Sequence, residues 1–371
     1  MLHLDIPTMD ELRALHGERA DACVSIYLPT TPVTRETQVD RLALRNLATR
    51  AARELEGRLD KRRLAALREH LDELVEDDEF WAFQARSLAV LATPDGARTW
   101  RLPNRLTESL EIADRFHIKP LIRAATFPHE ALVLILAAGG ARVLEISPDL
   151  PPRDVTPADM PSDAEEAFAR APRRRSARIS RMGEEGRKVM LTTYARRVDA
   201  ALRPLLAGRD TPLILLAAQP LDGIFRALCS YPRLLKEGLG RDLAETPDAR
   251  IAEAAAGLLA AEHARELEAL RARFEDLVGA SRATTEVSEA ARAATWGAID
   301  TLIVDMDAMI PGTVDEEDGA VTLAETPGPE TYDVLDEIAG RALRTGARVI
   351  SARREDVPHG ADLAAFLRRP V

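Results

Sequence analysis

The stretch Gly186–Ala218, "GRKVMLTTYARRVDAALRPLLAGRDTPLILLAA", carries two different periodicities on either side of one glycine. Up to Leu206 the apolar residues Val189, Tyr194, Val198, Ala201 and Leu205 recur at helical spacing, so they share one face of an amphipathic helix that Gly208 can end. After it, "TPLILLAA" (Thr211–Ala218) is apolar without interruption. Such a run is the mark of a strand covered on both faces. A helix that feeds a doubly buried strand predicts an α/β layer structure, and the flanking segments extend it in both directions.

Upstream, "ALVLILAAGGARVLEIS" (Ala131–Ser147) sets Gly139-Gly140 between two strand-like runs at the spacing of a tight hairpin. A loop rich in Pro and Asp follows, Ser147–Asp163. Downstream, Thr246-Pro247 offers an N-cap and a first-turn proline for a long helix ending near Gly279. Its stripe is Ile251, Ala255, Leu258, Leu267, Leu270, Phe274 and Leu277. At ~1.5 Å per residue it would span more than about 40 Å, enough to connect two domains.

Before this middle block, "CVSIYLPT" (Cys23–Thr30) reads as a buried strand. Two helical stretches follow, about Glu36–Glu56 and Lys61–Glu76, separated by Gly57: a helical hairpin with a basic tip of Arg58, Lys61, Arg62 and Arg63. "SLAVLATPDGARTWRLP" (Ser87–Pro103) places Pro94-Asp95-Gly96 between two strands. After the middle block, a helix (Glu286–Trp296) leads to the strand "AIDTLIVD". The strand "GAVTL", a helix from Thr331 to Leu343, the strand "GARVISA" and the closing "ADLAAFLRR" complete a small αβα sandwich. The expected domains are 1–123, 124–280 and 281–371, in a mixed α/β (α+β) chain of 371 residues.

No apolar run reaches the ~20 residues of a bilayer span. The amino terminus is acidic where a secretory signal would be basic, so a cytoplasmic protein is expected. Cys23 and Cys229 sit in apolar contexts and read as buried thiols. The histidines show no metal-ligand spacing, and neither a P-loop nor a G-x-S-x-G elbow is present; no metal or cofactor is expected. The acidic pairs Asp305/Asp307 and Glu316/Glu317 read as solvated carboxylates. Trp81, Trp100 and Trp296 read as packing residues, and His117 as a satisfied interdomain histidine. Phe116 beside it is expected to anchor the first block to the middle one.

One segment stands out by charge. Between Arg170 and Lys188 the chain crowds eight Arg and Lys residues, offset only by Glu184 and Glu185, in a protein of formal net charge -11. Arg forks bind phosphate oxygens in pairs, so Arg173, Arg174, Arg175, Arg178, Arg181, Arg187 and Lys188 suit an RNA backbone. At ~8 Å screening length the distant carboxylates weaken such a contact little. The alternative is a solvated loop paired with the acidic "SDAEE" (Ser162–Glu166) just upstream. On motifs alone the chain reads as a binding protein and not as a catalyst.

The order of these segments resembles the bacterial archaeo-eukaryotic release factor-like family, related to archaeal and eukaryotic class-one release factors and Pelota. "VSIYLPT" with the helical hairpin, and "SLAVLATPDGARTWRLP" with "ADRFHIKPLIRA", resemble its first domain. "YARRVDAALRPLLAGRDTPLILLAAQPLDGIFRALCSYP" resembles the middle one. "EAARAATWGAIDTLIVD" and "GARVISARREDVPHGADLAAFLRR" resemble the third. The resemblance implies an RNase H-like middle domain and a C-terminal αβα sandwich like that of kink-turn-binding ribosomal proteins. It also implies the ribosome or ribosomal RNA as partner, with a translational GTPase as a further one, and neither DNA nor a membrane. In release factors a middle-domain Gly-Gly-Gln loop serves peptidyl-tRNA hydrolysis. Here the corresponding region reads "SARISRMGEEGRK" and has no Gly-Gly-Gln. The hairpin tip reads "EGRLDKRR" where release factors carry Asn-Ile-Lys-Ser. The expected function is therefore a ribosome-associated factor acting in rescue, quality control or protection of idle ribosomes. It would bind RNA through the basic loop, with Arg58, Lys61, Arg62 and Arg63 as a second patch. Two alternatives are peptidyl-tRNA hydrolysis with Glu184 or Glu185 as general base, and a stress-associated module whose partner is another protein.

Overall fold

The computed structural model describes residues 4–32, 37–127, 130–147, 151–169, 183–209, 211–328 and 330–369. The chain forms two compact units. One joins residues 1–127 to 265–371; the other is 128–264.

The first unit begins with α1 (Met9–Gly17), started by a capping box between Thr8 and Glu11. β1 (Cys23–Pro29) follows, then α2 (Gln38–Glu54) and α3 (Lys61–Glu76). Asp60 caps α3 by accepting the Arg62 and Arg63 backbone N–H groups. After the short α4 (Asp78–Trp81) come β2 (Ser87–Thr93), β3 (Gly96–Leu102), β4 (Ser109–Ala113) and α5 (Lys119–Thr126). The strands form an antiparallel sheet in the order β3-β2-β1-β4; the turn between β2 and β3 is Pro94-Asp95, and Gly96, expected in that turn, already pairs with Thr93 in β3. Alternation along β1 serves both faces of this sheet. Val24, Ile26 and Leu28 pack on Leu44, Leu47, Leu67 and Leu71 of the α2–α3 hairpin, while Cys23 and Tyr27 face the opposite core.

The second unit contains β5 (Ala131–Ala137), β6 (Gly140–Ile146), β7 (Arg153–Asp154), α6 (Ala164–Ala169), α7 (Glu184–Leu206), β8 (Leu213–Ala217) and α8 (Leu221–Leu228). α9 (Asp248–Val278) starts here, and the unit boundary falls within it. The sheet order is β7-β6-β5-β8, with β8 parallel to β5 and the other pairs antiparallel, which is the RNase H-like order. β8 is apolar throughout because both of its faces are covered. Leu213 and Leu215 meet Tyr194, Val198 and Phe225, whereas Ile214 and Leu216 meet Ile251, Ala255 and Leu259.

Three local expectations are corrected in this unit. Ala137 pairs with Gly140, so the hairpin turns on Ala138-Gly139 and Gly140 already belongs to β6. Thr246 does not cap α9: its hydroxyl donates to the Leu243 carbonyl of the preceding 3-10 turn. Val189, expected on the buried face of α7, is 41% exposed one turn from the helix start.

Back in the first unit, β9 (Ala283–Thr284), α10 (Val287–Thr295) and β10 (Ile299–Asp305) precede β11 (Pro311–Val314), β12 (Val321–Leu323) and β13 (Tyr332–Asp333). α11 (Val334–Arg344), β14 (Arg348–Ala352) and β15 (Leu363–Leu367) end the described chain. The main sheet runs β14-β10-β15-β9, with β10 parallel to β14; β12-β11-β13 form a small second sheet. Leu302 and Val304 of β10 face α10 and α11, and Ile303 faces Leu267, Leu270 and Phe274 of α9, the expected αβα sandwich. The terminal segment is a strand, with Leu367 buried and Arg368 exposed.

A single core cluster runs from the N-terminal sheet to this sandwich, taking in Leu12, Phe116, Ile118 and Leu121 from one side and Ala290, Leu335, Ile338 and Ala342 from the other. Phe116 therefore ties the first block to the third. Sequence boundaries near 123 and 280 give three domains; the compact units instead divide at 127/128 and 264/265, with the outer blocks in one unit.

Candidate nucleic-acid interface and buried ionic junction

Of the basic run, Arg173, Arg174, Arg175, Arg178 and Arg181 lie outside the described residues. The rest mark where it ends. Gly183 is the N-cap of α7, and Glu184 and Glu185 fill its first turn, followed by Arg187 and Lys188; all four charged side chains are exposed. Carboxylates at a helix N-terminus are favoured by its dipole, which gives Glu184 and Glu185 a structural role. Neither has a hydrogen-bond partner for its side chain among the described residues, so nothing there orients a general base.

The amino end of α7 stands beside the carboxyl ends of the parallel strands β5 and β8. In α/β sheets ligands bind outside the carboxyl ends of such strands. A cleft of about 430 Å³ opens here, floored by Ile135, Leu191, Leu216 and Leu221 and edged by Arg187, Gln219, Arg241 and Glu245. Arg187, Lys188 and Arg241 form no ion pair among the described residues. Their positive charge is left to solvent, on the edge where the basic run joins α7.

The hairpin tip is divided. Lys61 and Arg62 are exposed and form no ion pair among the described residues, and Arg58 is exposed as well. Arg63 is engaged by the protein itself, 3.1 Å from Asp21 and 3.6 Å from Asp95. The acidic pairs do not converge as metal sites: no group of three His, Cys, Asp or Glu that could hold a metal occurs among the described residues. Asp305 is buried and its carboxylate accepts the Asp307 backbone N–H at 3.0 Å. No described helix is long and apolar enough to cross a membrane.

Sequence reading missed a second charged assembly, buried where the first and third blocks share their core. Glu337 of α11 is 2% exposed and takes His16 Nε2 at 3.1 Å, Arg115 at 2.8 Å and Arg341 at 2.7 Å. Burial opposes its charge, but the His16 hydrogen bond and the two guanidinium groups outweigh that and hold the carboxyl far below its usual range. Burial also lowers His16. With Nδ1 unpartnered, the ring is the neutral tautomer that donates from Nε2. Arg115 further stacks 3.9 Å over the Tyr332 ring and pairs with Asp114 at 2.8 Å. One turn away, Lys119 is 2% exposed and its ammonium lies 2.8 Å from Asp333. Asp333 caps α11 through Leu335 N–H and also accepts Ile310 N–H. Asp336, raised by burial and by the neighbouring Asp333 charge, accepts the Ile118 and Lys119 backbone N–H groups. The signal available in sequence was "VLDEIAGRALR", a helix with Asp336-Glu337 amid apolar residues on every side.

Comparison with known proteins bears on the middle unit. Residues 128–265 match the model of bacterial archaeo-eukaryotic release factor family 11. The middle unit is of that release-factor-like kind. No curated protein matches the chain. Among solved structures, the archaeal translation termination factor aRF1 is 15% identical, covering 98% of this chain and 99% of its own, with a TM-score of 0.25. Archaeoglobus fulgidus Pelota is 14% identical over 99% and 94%, TM-score 0.33. Archaeal Pelota from a ribosome-bound assembly with ABCE1 is 13% identical over 99% and 96%, TM-score 0.41. The release-factor-like unit is the one whose α7 carries the end of the basic run.

Proposed function

We propose that the protein is a translation factor that binds ribosomal RNA through the cationic end of its release-factor-like unit, without hydrolysing peptidyl-tRNA. It would act in rescue, quality control or protection of idle ribosomes. The observation that carries the reading is the placement of Arg187 and Arg241 at the carboxyl edge of β5 and β8, with Lys188 next to Arg187 in α7, all three without ion pairs among the described residues. The basic run enters the helix at that edge. Arg173, Arg174, Arg175, Arg178 and Arg181 extend the same charge in sequence, and Lys61, Arg62 and Arg58 supply a weaker patch on the other unit. Against ester hydrolysis stand the missing Gly-Gly-Gln and two glutamates that are exposed and without side-chain hydrogen-bond partners among the described residues.

The test is co-sedimentation with ribosomes across a salt series. If six to ten phosphates are neutralised, affinity falls ~10³–10⁵-fold between 50 and 200 mM salt, taking the duplex-DNA rule as guide. Reversal of Arg173–Arg175 to Glu should abolish the pellet. A pellet indifferent to salt and to that reversal would point to a protein partner instead. In a peptide-release assay on ribosome-bound peptidyl-tRNA the protein should leave the ester intact. Release that is lost in Glu184→Gln or Glu185→Gln would establish the catalytic alternative.

A further inference from the structure

β10 and β14 are parallel, and the chain leaves both at one edge of the sandwich: Met306 and Asp307 follow β10, and Arg353 follows β14. The loop between β3 and β4 and the start of α5 meet that edge. Together they enclose a cleft of about 350 Å³, within the size range of small-molecule sites. It repeats, in the other unit, the strand-end position where α/β folds bind ligands.

The charge of the cleft is one-sided. Arg105, Lys119, Arg123 and Arg353 line it against the single carboxylate of Asp307. Lys119 is already committed to Asp333, 2.8 Å away. The three guanidinium groups are not neutralised in the same way. Arg105 is exposed and forms no ion pair among the described residues. Arg123 is fixed by donating Nη1–H to the Ser351 carbonyl at 2.8 Å and by stacking 5.0 Å from the Phe127 ring centroid. Among the described residues Arg353 pairs only with the exposed Glu355, at 3.7 Å. Burial and then the charge of Arg353 lower the pKa of Arg123, so the two cations repel across the cleft. An anion placed between them relieves that repulsion. The rest of the lining mixes polar Thr107, Ser109 and His117 with an apolar part formed by Leu106, Pro120, Met306 and Met309.

We propose that this cleft binds a small phosphorylated ligand of nucleotide size, with its phosphate on Arg105, Arg123 and Arg353 and its apolar part on the methionine-lined wall. Guanidinium forks match phosphate oxygens in pairs. A half-open cleft of this size, with buried Tyr27 and Lys119 at its floor, fits a single nucleotide better than a polymer backbone.

Calorimetric titration of the full chain tests this, with ADP and GDP as probes beside inorganic phosphate and adenosine. The nucleotides should bind saturably at one site, inorganic phosphate more weakly, and adenosine weakest. Arg105→Gln with Arg353→Gln, both at exposed positions, should weaken the nucleotides at least tenfold while the unfolding midpoint stays in place. Arg187→Gln with Lys188→Gln should leave nucleotide binding unchanged, which separates this site from the ribosomal interface. Absence of saturable binding at 50 mM salt overturns the assignment. So does indifference to the double substitution, or a short single-stranded RNA that displaces ADP and binds more tightly than it does.

Discussion

The His16 ring packs against the bare α-carbon of Gly340: a β-carbon there would fall 1.8 Å from His16 Cδ2. α1 thus approaches α11 at the one position where α11 has no side chain, and that approach brings His16 Nε2 to Glu337. In an open helix interior, Gly→Ala stabilises by about 1 kcal/mol. Here overpacking at ~1–3 kcal/mol opposes it, and the neighbour is a buried ring that cannot swing into solvent. Gly340→Ala should therefore lower the urea midpoint of unfolding. His16→Ala, combined with it, should recover part of the loss by making room. A midpoint raised by Gly340→Ala alone would contradict the packing.

Lys119 and Asp333 form a desolvated pair between α5 and α11. Removing one partner of such a pair costs ~3–5 kcal/mol, because the other charge stays buried. Lys119→Met keeps the packing and should show a loss of that order by chemical denaturation. Adding Asp333→Asn, which keeps a side-chain oxygen for the α11 cap, should restore part of it. Strictly additive losses in the double-mutant cycle would show that the two groups do not interact.

His117 predicts a pH dependence. Its Nδ1 lies 3.4 Å from Asp336 and 4.0 Å from Asp333, and its ring meets Tyr27 edge-on. Burial, opposed by Asp333 and aided by Lys119, lowers its pKa from 6.5 to about 4. The unfolded chain then binds the proton first, so this contribution to stability is complete above pH 6.5 and is lost as pH falls toward 4. The lowering of about 2.5 corresponds to about 3 kcal/mol. Asp336, raised by burial, acts in the opposite direction. The informative quantity is therefore the difference in stability between wild type and His117→Asn from pH 7 to 4. That difference should shrink on acidification; a constant one would refute the assignment.

Layering was legible in the sequence because it follows from periodicity. "TPLILLAA" and "CVSIYLPT" are apolar on consecutive residues, and both are strands covered on two faces. Turns were legible to within a residue: of Pro94-Asp95-Gly96 and Gly139-Gly140, the last glycine in each belongs to the following strand, because Gly96 pairs with Thr93 and Gly140 with Ala137. Long-range partners were not legible. His16 and Glu337 are 321 positions apart, so no local pattern links them. The same holds for the cleft lined by Arg105, Arg123 and Arg353, which come from the β3–β4 loop, from α5 and from the turn after β14. Arg63 shows the converse, since its place in a basic tip hid two aspartates, Asp21 and Asp95, that claim its charge.

That division of the tip yields the last expectation, a difference in salt response among neighbouring residues. A cation that touches RNA phosphate releases counterions, and its removal lowers the slope of log affinity against log salt by about 0.7–0.9. Lys61 and Arg62, exposed and without ion pairs among the described residues, are free to make such contacts. Lys61→Ala with Arg62→Ala should flatten the slope of ribosome binding by up to about 2, and Arg187→Ala with Lys188→Ala by a similar amount. Arg63→Ala should leave the slope almost unchanged, because its guanidinium is held by Asp21 and Asp95; its effect belongs to stability, at about 0–1 kcal/mol for exposed pairs. Binding isotherms of the three variants between 50 and 200 mM salt decide the matter. Equal slopes for Arg63→Ala and the Lys61/Arg62 double variant would mean that the tip meets RNA as an undivided patch, and that the Asp21 and Asp95 contacts yield to phosphate on the ribosome.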